Sequence, residues 1–231
     1  MEIFAVKLNE LLDKHSYLQL LSVLPNEKQN KIKKFVRFED AQRSLIGEVL
    51  IRYIVNNKLG INNNDIVITK GQYGKPYLKE INGFHFNISH SGCWVLCAID
   101  NYPIGIDIEN IQSIDLNLAE QFFAKEEYND LLEKPASQRI SYFYELWTLK
   151  ESYIKANGKG LYLDLNSFSF KIHNNTIYFK NKSEKENFYF FQYNIDTDYK
   201  MAICAKQDSF TNQVIEFSLN SLKELVFKTI V

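Results

Sequence analysis

The sequence predicts an α+β fold made of two similar halves in one chain, which meet near residue 103 of the 231 residues. Short apolar runs of strand length alternate with long stretches whose apolar residues recur at helical spacing. A strand is followed by helical segments and then by more strands on both sides of a break at Tyr102-Pro103. Because Gly-containing turns separate the strands, neighbouring strands are expected to pair antiparallel.

The first half, residues 1–103, begins with a strand over residues 1–8 and continues with one long helix over residues 26–58. Pro25 marks the start of this helix and Gly60 marks its end. Its apolar positions follow the helical period. Three further strands are predicted between turns, at residues 66–68, 84–88 and 94–99.

The second half, residues 104–205, starts with a new strand at Gly105. Two helical regions and four strands follow it, at about 115–132, 138–156, 167–172, 176–180, 187–195 and 199–205. The tail, residues 206–231, is expected to pack on the first half, with a short helix at 219–228.

The composition excludes several classes of protein. Hydrophobic residues make up 45% of the chain, with 17 Phe and 14 Tyr, which is enough for a sizeable core. The net charge of −1 argues against a general nucleic-acid binder, which needs a strongly basic surface. The three cysteines form no CxxC pair, and the apolar run at 94–99 is too short to cross a membrane. We therefore expect a cytoplasmic protein with no nucleic-acid or membrane partner.

The segment Ile104-Gly105-Ile106-Asp107-Ile108-Glu109 is the first of two motifs that carry chemistry. Successive side chains of a strand point to opposite faces, so the three isoleucines share one face and Asp107 and Glu109 share the other. Two neighbouring carboxylates repel each other and need a cation between them or open water around them. An exposed edge strand would supply the water. The surrounding run is too apolar for that, and Gly105 permits close backbone approach, which favours metal ligation.

The second motif lies in the helix predicted at 138–156. Glu151 and Lys155 are four residues apart and therefore share one face of the helix. Alone, they would be interpreted as a surface ion pair. The helix is apolar over so much of its surface, however, that its charged residues are expected to face an internal cleft. Together with Asp107 and Glu109 they are the side-chain types that hold Mg²⁺ on a phosphate ester.

Three weaker segments each admit two interpretations. Lys28 and Lys31 share a helix face, which is either solvated or an anion clamp. The segment Gly71-Gln72-Tyr73-Gly74-Lys75-Pro76 is typical of a hairpin loop and lacks the spacing of a Walker A phosphate loop. The polar string Asn87-Ile88-Ser89-His90-Ser91 either caps a turn or contacts a ligand.

With these residues in view, the chain strongly resembles the Sfp-type 4′-phosphopantetheinyl transferases. That family carries a G-[IV]-D-[IV]-E strand and a W-x-x-K-E-[SA]-x-x-K helix. Here the two motifs are Gly105 to Glu109 and Trp147-Thr148-Leu149-Lys150-Glu151-Ser152-Tyr153-Ile154-Lys155. The segments Tyr73 to Pro76 and Phe86 to Ser91 match as well. The resemblance extends over nearly the whole chain, from residue 25 to residue 205.

The resemblance implies two pseudo-symmetric α+β halves with the active site in the cleft between them, in a monomer. It implies transfer of the 4′-phosphopantetheine arm of coenzyme A to a serine of an apo peptidyl or acyl carrier protein. Mg²⁺, with Mn²⁺ as a substitute, would be held by Asp107, Glu109 and Glu151. The catalytic set would be Glu151, Lys155 and Glu127, with Glu151, Glu127 or a bound water as the base. Coenzyme A would be bound by Lys28, Lys31, Arg43, Ser44, Tyr73, Gly74, Lys75, Pro76, Ser89, His90 and Lys155.

Two other functions compete with this one. A magnesium-dependent phosphohydrolase would use the same acids with water as the acceptor. A coenzyme A-binding or carrier-binding module without turnover would not need the complete set of three acids and a lysine. Neither the Ser-His-Asp nor the Cys-His pattern of an enzyme nucleophile is evident in the sequence.

Overall fold

The computed structural model describes residues 1–174, 176–181 and 187–229, with only the backbone described at Leu161. The first half contains, in order, β1 (Glu2–Lys7), α1 (Lys14–Ser22), α2 (Asn26–Ile32), α3 (Phe38–Leu59), β2 (Ile68–Lys70), β3 (Pro76–Leu78), β4 (His85–Ser91) and β5 (Trp94–Asp100). The second half contains β6 (Gly105–Asn110), α4 (Asn117–Phe122), α5 (Lys125–Glu133), α6 (Ala136–Asn157), β7 (Phe168–His173), β8 (Thr176–Asn181), β9 (Tyr189–Tyr193) and β10 (Tyr199–Ala205). The tail adds β11 (Val214–Ser218) and α7 (Leu219–Thr229). The predicted α+β class is confirmed.

The strands form two main sheets, one for each half. The first has the order β11-β1-β5-β4 and the second has the order β6-β10-β9. β2 with β3 and β7 with β8 form separate antiparallel hairpins. The pairing is antiparallel as predicted, with one exception, since β1 and β11 run parallel. α3 packs against the first sheet and α6 packs across β6 and β10 of the second.

The long helix predicted over residues 26–58 is wrong in one respect, because the structure divides it into α2 and α3. Lys34 and Phe35 close short turns onto residues three positions back, and Arg37 is extended. Val36 between them is fully exposed. No Gly or Pro marks this break, so the apolar helical period continues through it in the sequence and gave no signal for it.

Three elements were not predicted: α1, β3 and β11. α1 does carry a local signal, since Asp13 at its N-cap accepts a hydrogen bond from the Ser16 backbone N–H at 3.0 Å. β11 carries no comparable signal, because its partner β1 lies about two hundred residues earlier in the chain. The tail thereby returns to the first half, where Leu222 and Val226 of α7 are buried in the same core as α3. Residues 230 and 231 of the tail lie outside the described residues.

The core consists of three buried clusters. One lies under α3 in the first half and one under α6 in the second. The third lies between the two halves and includes Ile104, Ile106 and Ile108, all 0% exposed. The predicted alternation of β6 is therefore confirmed, with its isoleucines on the core face.

Side chains of β4 join the edges of the two sheets. They accept hydrogen bonds from three alternate backbone N–H groups of β6, in the pairs Asn87 Oδ1 with Ile106 at 2.8 Å, Ser89 Oγ with Ile108 at 3.2 Å and Ser91 Oγ with Asn110 at 3.1 Å. Because side chains of one strand face repeat every two residues, three polar residues in this spacing match three amides of the neighbouring edge. We call this set the β4–β6 bridge.

Gly105 allows α6 to lie directly on β6. A Cβ atom at this position would come within 2.0 Å of the Ser152 carbonyl oxygen and 2.4 Å of the Ala156 backbone nitrogen. Any side chain here would push the helix away from the strand. The close approach brings Glu151 and Lys155 over the carboxylates of β6. In the described part of the chain, no helix is long and apolar enough to cross a membrane.

Candidate active site

A cleft of about 490 Å³ opens where α3, β4, β6 and α6 meet, so both halves contribute to its walls. Its lining consists of Ser44, Gly47, Glu48, Pro76, Ile88, Ser89, His90, Asp107, Glu109, Trp147, Glu151 and Lys155. Eight of these residues were predicted from the sequence as site residues. The structure therefore brings the acidic strand motif and the helix motif to one place.

Asp107 is the most enclosed acid of the cleft, at 2% exposure. Its Oδ1 accepts hydrogen bonds from Ser89 Oγ at 3.0 Å and from Lys155 Nζ at 2.5 Å. Its Oδ2 is buried and has no hydrogen-bond partner in the described part of the chain. Burial raises the pKa of Asp107, and the Lys155 charge opposes that rise.

Glu109 and Glu151 are half-buried beside Asp107. Glu109 accepts a hydrogen bond from Ser91 Oγ at 2.8 Å. Burial first, and then the negative charge of Asp107, raise the pKa of Glu109 to about 7. The same two causes raise the pKa of Glu151, for which the described residues offer no hydrogen bond. Three acids thus crowd one cleft wall, and each disfavours the ionised form of its neighbours.

The donor set fits Mg²⁺ in its chemistry. Mg²⁺ prefers carboxylate oxygens, and Asp107 Oδ2 is a buried carboxylate oxygen without a partner. Within the described ranges, however, no three His, Cys, Asp or Glu side chains already converge closely enough to hold a metal ion. The Lys155 ammonium instead provides the positive charge beside Asp107. A metal ion and Lys155 would therefore compete for this carboxylate.

The predicted basic residues occupy the α2 and α3 side of the cleft in different ways. Lys28 Nζ donates to Glu48 Oε1, and Glu48 lines the cleft. Arg43 binds the Asp40 carboxylate and the Gly92 carbonyl oxygen, while Lys31 is exposed. Of the predicted basic and hydroxyl residues on these two helices, only Ser44 lines the cleft directly.

The Tyr73 to Pro76 loop borders a second cavity of about 300 Å³, and Pro76 lines both cavities. The Lys75 ammonium is used inside the fold, since it donates to the carbonyl oxygens of Ile104 and Ala156 at 3.0 Å each. Burial lowers the pKa of Lys75 to about 8. Gly74, at φ +87°, supplies the left-handed turn of the loop. The ammonium is thus engaged within the fold, and the predicted coenzyme A contact at Lys75 stays a prediction.

The structure does not bring Glu127 into this group. Its Oε2 pairs with Lys150 Nζ at 2.7 Å and accepts from the Ala124 backbone N–H at 2.8 Å. Its Oε1 accepts from the Phe170 backbone N–H at 2.8 Å. Both charged side chains of the pair are 0% exposed. Glu127 is held in the interior of the second half and does not line the cleft, so its predicted role as the base stays a prediction that this geometry does not support.

Gly47 and Glu48 of the cleft wall were not identified from the sequence. Trp147 was named only as part of the helix motif, and Asn87 and Ser91 were named only as part of the polar string that either caps a turn or contacts a ligand. The spacing of Asn87, Ser89 and Ser91 at every second position was a usable signal for one polar strand face. Glu48 follows Ser44 by four residues, so both lie on one face of α3. That helix is apolar over much of its surface, which was again a usable signal.

Known proteins match both halves of the chain. Residues 103–204 match the family described as the 4′-phosphopantetheinyl transferase superfamily, and residues 13–101 match the family described as 4′-phosphopantetheinyl transferase, N-terminal. The chain is 39% identical to 4′-phosphopantetheinyl transferase Sfp of Bacillus subtilis (strain 168) over 223 residues, which cover 96% of this chain and 100% of that protein. It is 43% identical to 4′-phosphopantetheinyl transferase gsp of Aneurinibacillus migulanus over 212 residues, covering 91% and 88%. Identity to 4′-phosphopantetheinyl transferase psf-1 of Bacillus pumilus is 39%, covering 93% and 94%.

Proposed function

This chain belongs to the 4′-phosphopantetheinyl transferase superfamily, and on that premise we propose that it transfers the 4′-phosphopantetheine group of coenzyme A to a serine of an apo peptidyl or acyl carrier protein. Adenosine 3′,5′-bisphosphate is the other product. One observation carries the proposal: Asp107, Glu109, Glu151 and Lys155 line a single cleft to which both halves contribute. Because one chain supplies every wall of the cleft, the enzyme is proposed to act as a monomer. Its three cysteines form no CxxC pair, which suits the cytoplasm.

Asp107, Glu109 and Glu151 are proposed to hold Mg²⁺, for which Mn²⁺ substitutes. When bound, the metal ion supplies charge neutralisation and polarisation at the pyrophosphate of coenzyme A. Lys155 pairs with Asp107. Its ammonium is proposed to bind the pyrophosphate of coenzyme A as well, which would add to the charge neutralisation that the metal ion would supply.

The acceptor is proposed to be the hydroxyl of the carrier serine, because the lining of the cleft contains no activated nucleophile of its own. Ser89 is the cleft serine nearest the acids, and its hydroxyl is already engaged with Asp107, Lys155 and the Ile108 N–H. Glu151 is proposed as the base for the incoming hydroxyl. Burial raises the pKa of Glu151 above the ordinary range of a glutamate, which makes it a better proton acceptor, and no described residue donates a hydrogen bond to it.

The nucleotide is proposed to lie toward α2, α3 and β4. Lys28, Lys31, Arg43, Ser44 and His90 would surround the 3′-phosphoadenosine, with Lys28, Lys31 and His90 at its 3′-phosphate. Tyr73 to Pro76 with Ser89 would border the adenine. Supporting this placement, Ser44 and His90 line the same cleft as the acids, and Pro76 lines both that cleft and the cavity next to Tyr73. Attack on the phosphorus bound to pantetheine then requires mainly positioning and charge neutralisation.

The test is incubation of the protein with coenzyme A, Mg²⁺ and an apo carrier protein, followed by intact mass measurement. We expect the carrier to gain one phosphopantetheine and adenosine 3′,5′-bisphosphate to appear in equal amount. A carrier with its acceptor serine changed to Ala is the control and should stop both products. Release of the bisphosphate without any carrier, at a rate that the carrier does not change, would instead establish a phosphohydrolase.

A further inference from the structure

Glu48 places a negative charge in the wall of a cleft proposed to receive a highly anionic substrate. It lies on α3 with Ser44 and Gly47, which occupy the same helix face toward the cleft. Its Oε1 accepts from Lys28 Nζ. Its Oε2 is buried and has no hydrogen-bond partner in the described ranges of the chain. Oε1 thus has a hydrogen-bond donor within the fold, whereas Oε2 has none among the described residues.

An enclosed carboxylate oxygen needs a hydrogen-bond donor, because its lost hydration is otherwise uncompensated. Phosphate oxygens repel it and donate no hydrogen at neutral pH. A group of coenzyme A that forms a hydrogen bond with Glu48 Oε2 must therefore be a neutral O–H or N–H donor. Gly47, next to Glu48 on α3, allows α3 to lie close to β4, since a Cβ there would lie 3.1 Å from Ile88 Cγ2.

The ion pair with Lys28 indicates which donor it is. In coenzyme A the adenosine ribose carries its phosphate on C3′ and a single free hydroxyl on the adjacent carbon, C2′. If Lys28 binds the 3′-phosphate, the carboxylate that already holds Lys28 lies beside the 2′-hydroxyl. The adenine amino group is a poorer match, because the base is assigned to the loop at Tyr73 to Pro76.

We propose that Glu48 accepts a hydrogen bond from the ribose 2′-hydroxyl of coenzyme A, and that it is a specificity-determining residue for the ribose form of the nucleotide. This inference rests on the proposed function. Nucleotide-binding sites often bind a ribose hydroxyl with a carboxylate. Such a site discriminates against a nucleotide that lacks the hydroxyl, because the buried carboxylate oxygen then has no hydrogen-bond donor. The same carboxylate also orients Lys28 toward the neighbouring phosphate.

The test compares adenosine 3′,5′-bisphosphate with 2′-deoxyadenosine 3′,5′-bisphosphate by titration calorimetry. The wild type is expected to bind the ribose form roughly tenfold more tightly, as for a hydrogen bond to a charged group. Glu48→Ala is expected to reduce the preference to about twofold or less, whatever its effect on the affinity of either nucleotide. Glu27→Gln removes an exposed carboxylate next to Lys28 and should keep the full preference.

Each other outcome overturns the inference. Equal binding of the two nucleotides by the wild type does so even if Glu48→Ala fails to fold. An undiminished preference in folded Glu48→Ala means that another group reads the hydroxyl, and an equal weakening of both nucleotides means that Glu48 only holds Lys28. If the wild type binds neither nucleotide, the proposed function falls with the inference, whereas binding without discrimination removes the inference alone.

Discussion

Replacing Glu127 with Gln is expected to destabilise the fold while leaving the chemistry of the folded enzyme intact. Glu127 and Lys150 form an ion pair with no exposed side-chain surface. Lys150 Nζ also donates to the carbonyl oxygens of Leu165 at 2.7 Å and Phe168 at 2.8 Å. Burial raises the pKa of Glu127 and lowers that of Lys150, while each charge stabilises the ionised form of the other. The pair thereby ties α5 and the start of β7 to α6.

The magnitude follows from what the substitution leaves behind. Gln keeps the size of Glu127 and one oxygen for a backbone N–H, but the Lys150 ammonium loses its counter-charge in a fully buried position. Removing one partner of a buried pair costs about 3–5 kcal/mol. With a urea dependence of roughly 2–3 kcal/mol per molar for a chain of this size, the unfolding midpoint should fall by about 1–2.5 M. The double variant Glu127→Gln with Lys150→Met should lose less than the sum of the single changes, since no buried charge remains.

The assay is urea unfolding followed by tryptophan fluorescence, together with the transfer rate per folded enzyme. Glu126→Gln is the matched control, because it changes the neighbouring acid of the same helix, whose ion pair with Lys180 is more than half exposed on both sides. That change should cost less than about 0.5 kcal/mol. A purely structural role for Glu127 is refuted if Glu127→Gln unfolds at the wild-type urea concentration yet loses transfer activity. Glu127 would then act in catalysis, as the family resemblance implies.

Three further predictions concern the cleft and its surroundings. Asp107→Asn should lower Mg²⁺-dependent transfer by roughly 100-fold or more, because mutation of residues that only support metal ligands already lowers metal affinity or activity by about 10–100-fold. Mg²⁺ titration of the folded variant checks the assignment. Lys28→Ala with Lys31→Ala should remove most of the preference for coenzyme A over its 3′-dephospho form in competition binding, since charge-assisted bonds to phosphate are lost. Lys75 alone should raise the free energy of unfolding by on the order of 3 kcal/mol between pH 8 and pH 10.5. In that window Lys75 keeps its proton only in the unfolded chain, so raising the pH favours the folded chain. Urea unfolding at both pH values should show this rise in the wild type and not in Lys75→Met.

Each of these predictions has a matched control on the surface. Asp65→Asn changes an exposed aspartate of the first half and should leave Mg²⁺ dependence unchanged. Lys33→Ala with Lys34→Ala removes two exposed lysines near the same helix and should keep the 3′-phosphate preference. Lys79→Met removes a lysine that is 58% exposed and should keep the pH dependence of stability. A control that behaves like its test variant would contradict the assignment concerned.

The sequence alone determined the fold class and the motifs that now line the cleft. The alternation of isoleucine with Asp107 and Glu109 is a property of any strand, so it assigned the two faces of β6 before any packing was known. The four-residue spacing of Glu151 and Lys155 did the same for α6. Gly105 was identified as a point of close approach, and the structure confirms that Ser152 and Ala156 leave no space for a side chain there.

Other assignments depended on contacts between segments far apart in the chain. Nothing local distinguishes the carboxylate of Glu127 from those of the cleft, and only the packing of α5, α6 and β7 commits it to Lys150. The use of the Lys75 ammonium inside the fold depends on carbonyl groups that are 29 and 81 residues away. The parallel pairing of β11 with β1 is likewise set by distant neighbours, as is the lack of a hydrogen-bond partner for Glu48 Oε2 among the described residues. Periodicity follows from local backbone geometry, whereas burial and partnership of a charged group follow from tertiary packing, and these decide whether it binds substrate or stabilises the fold.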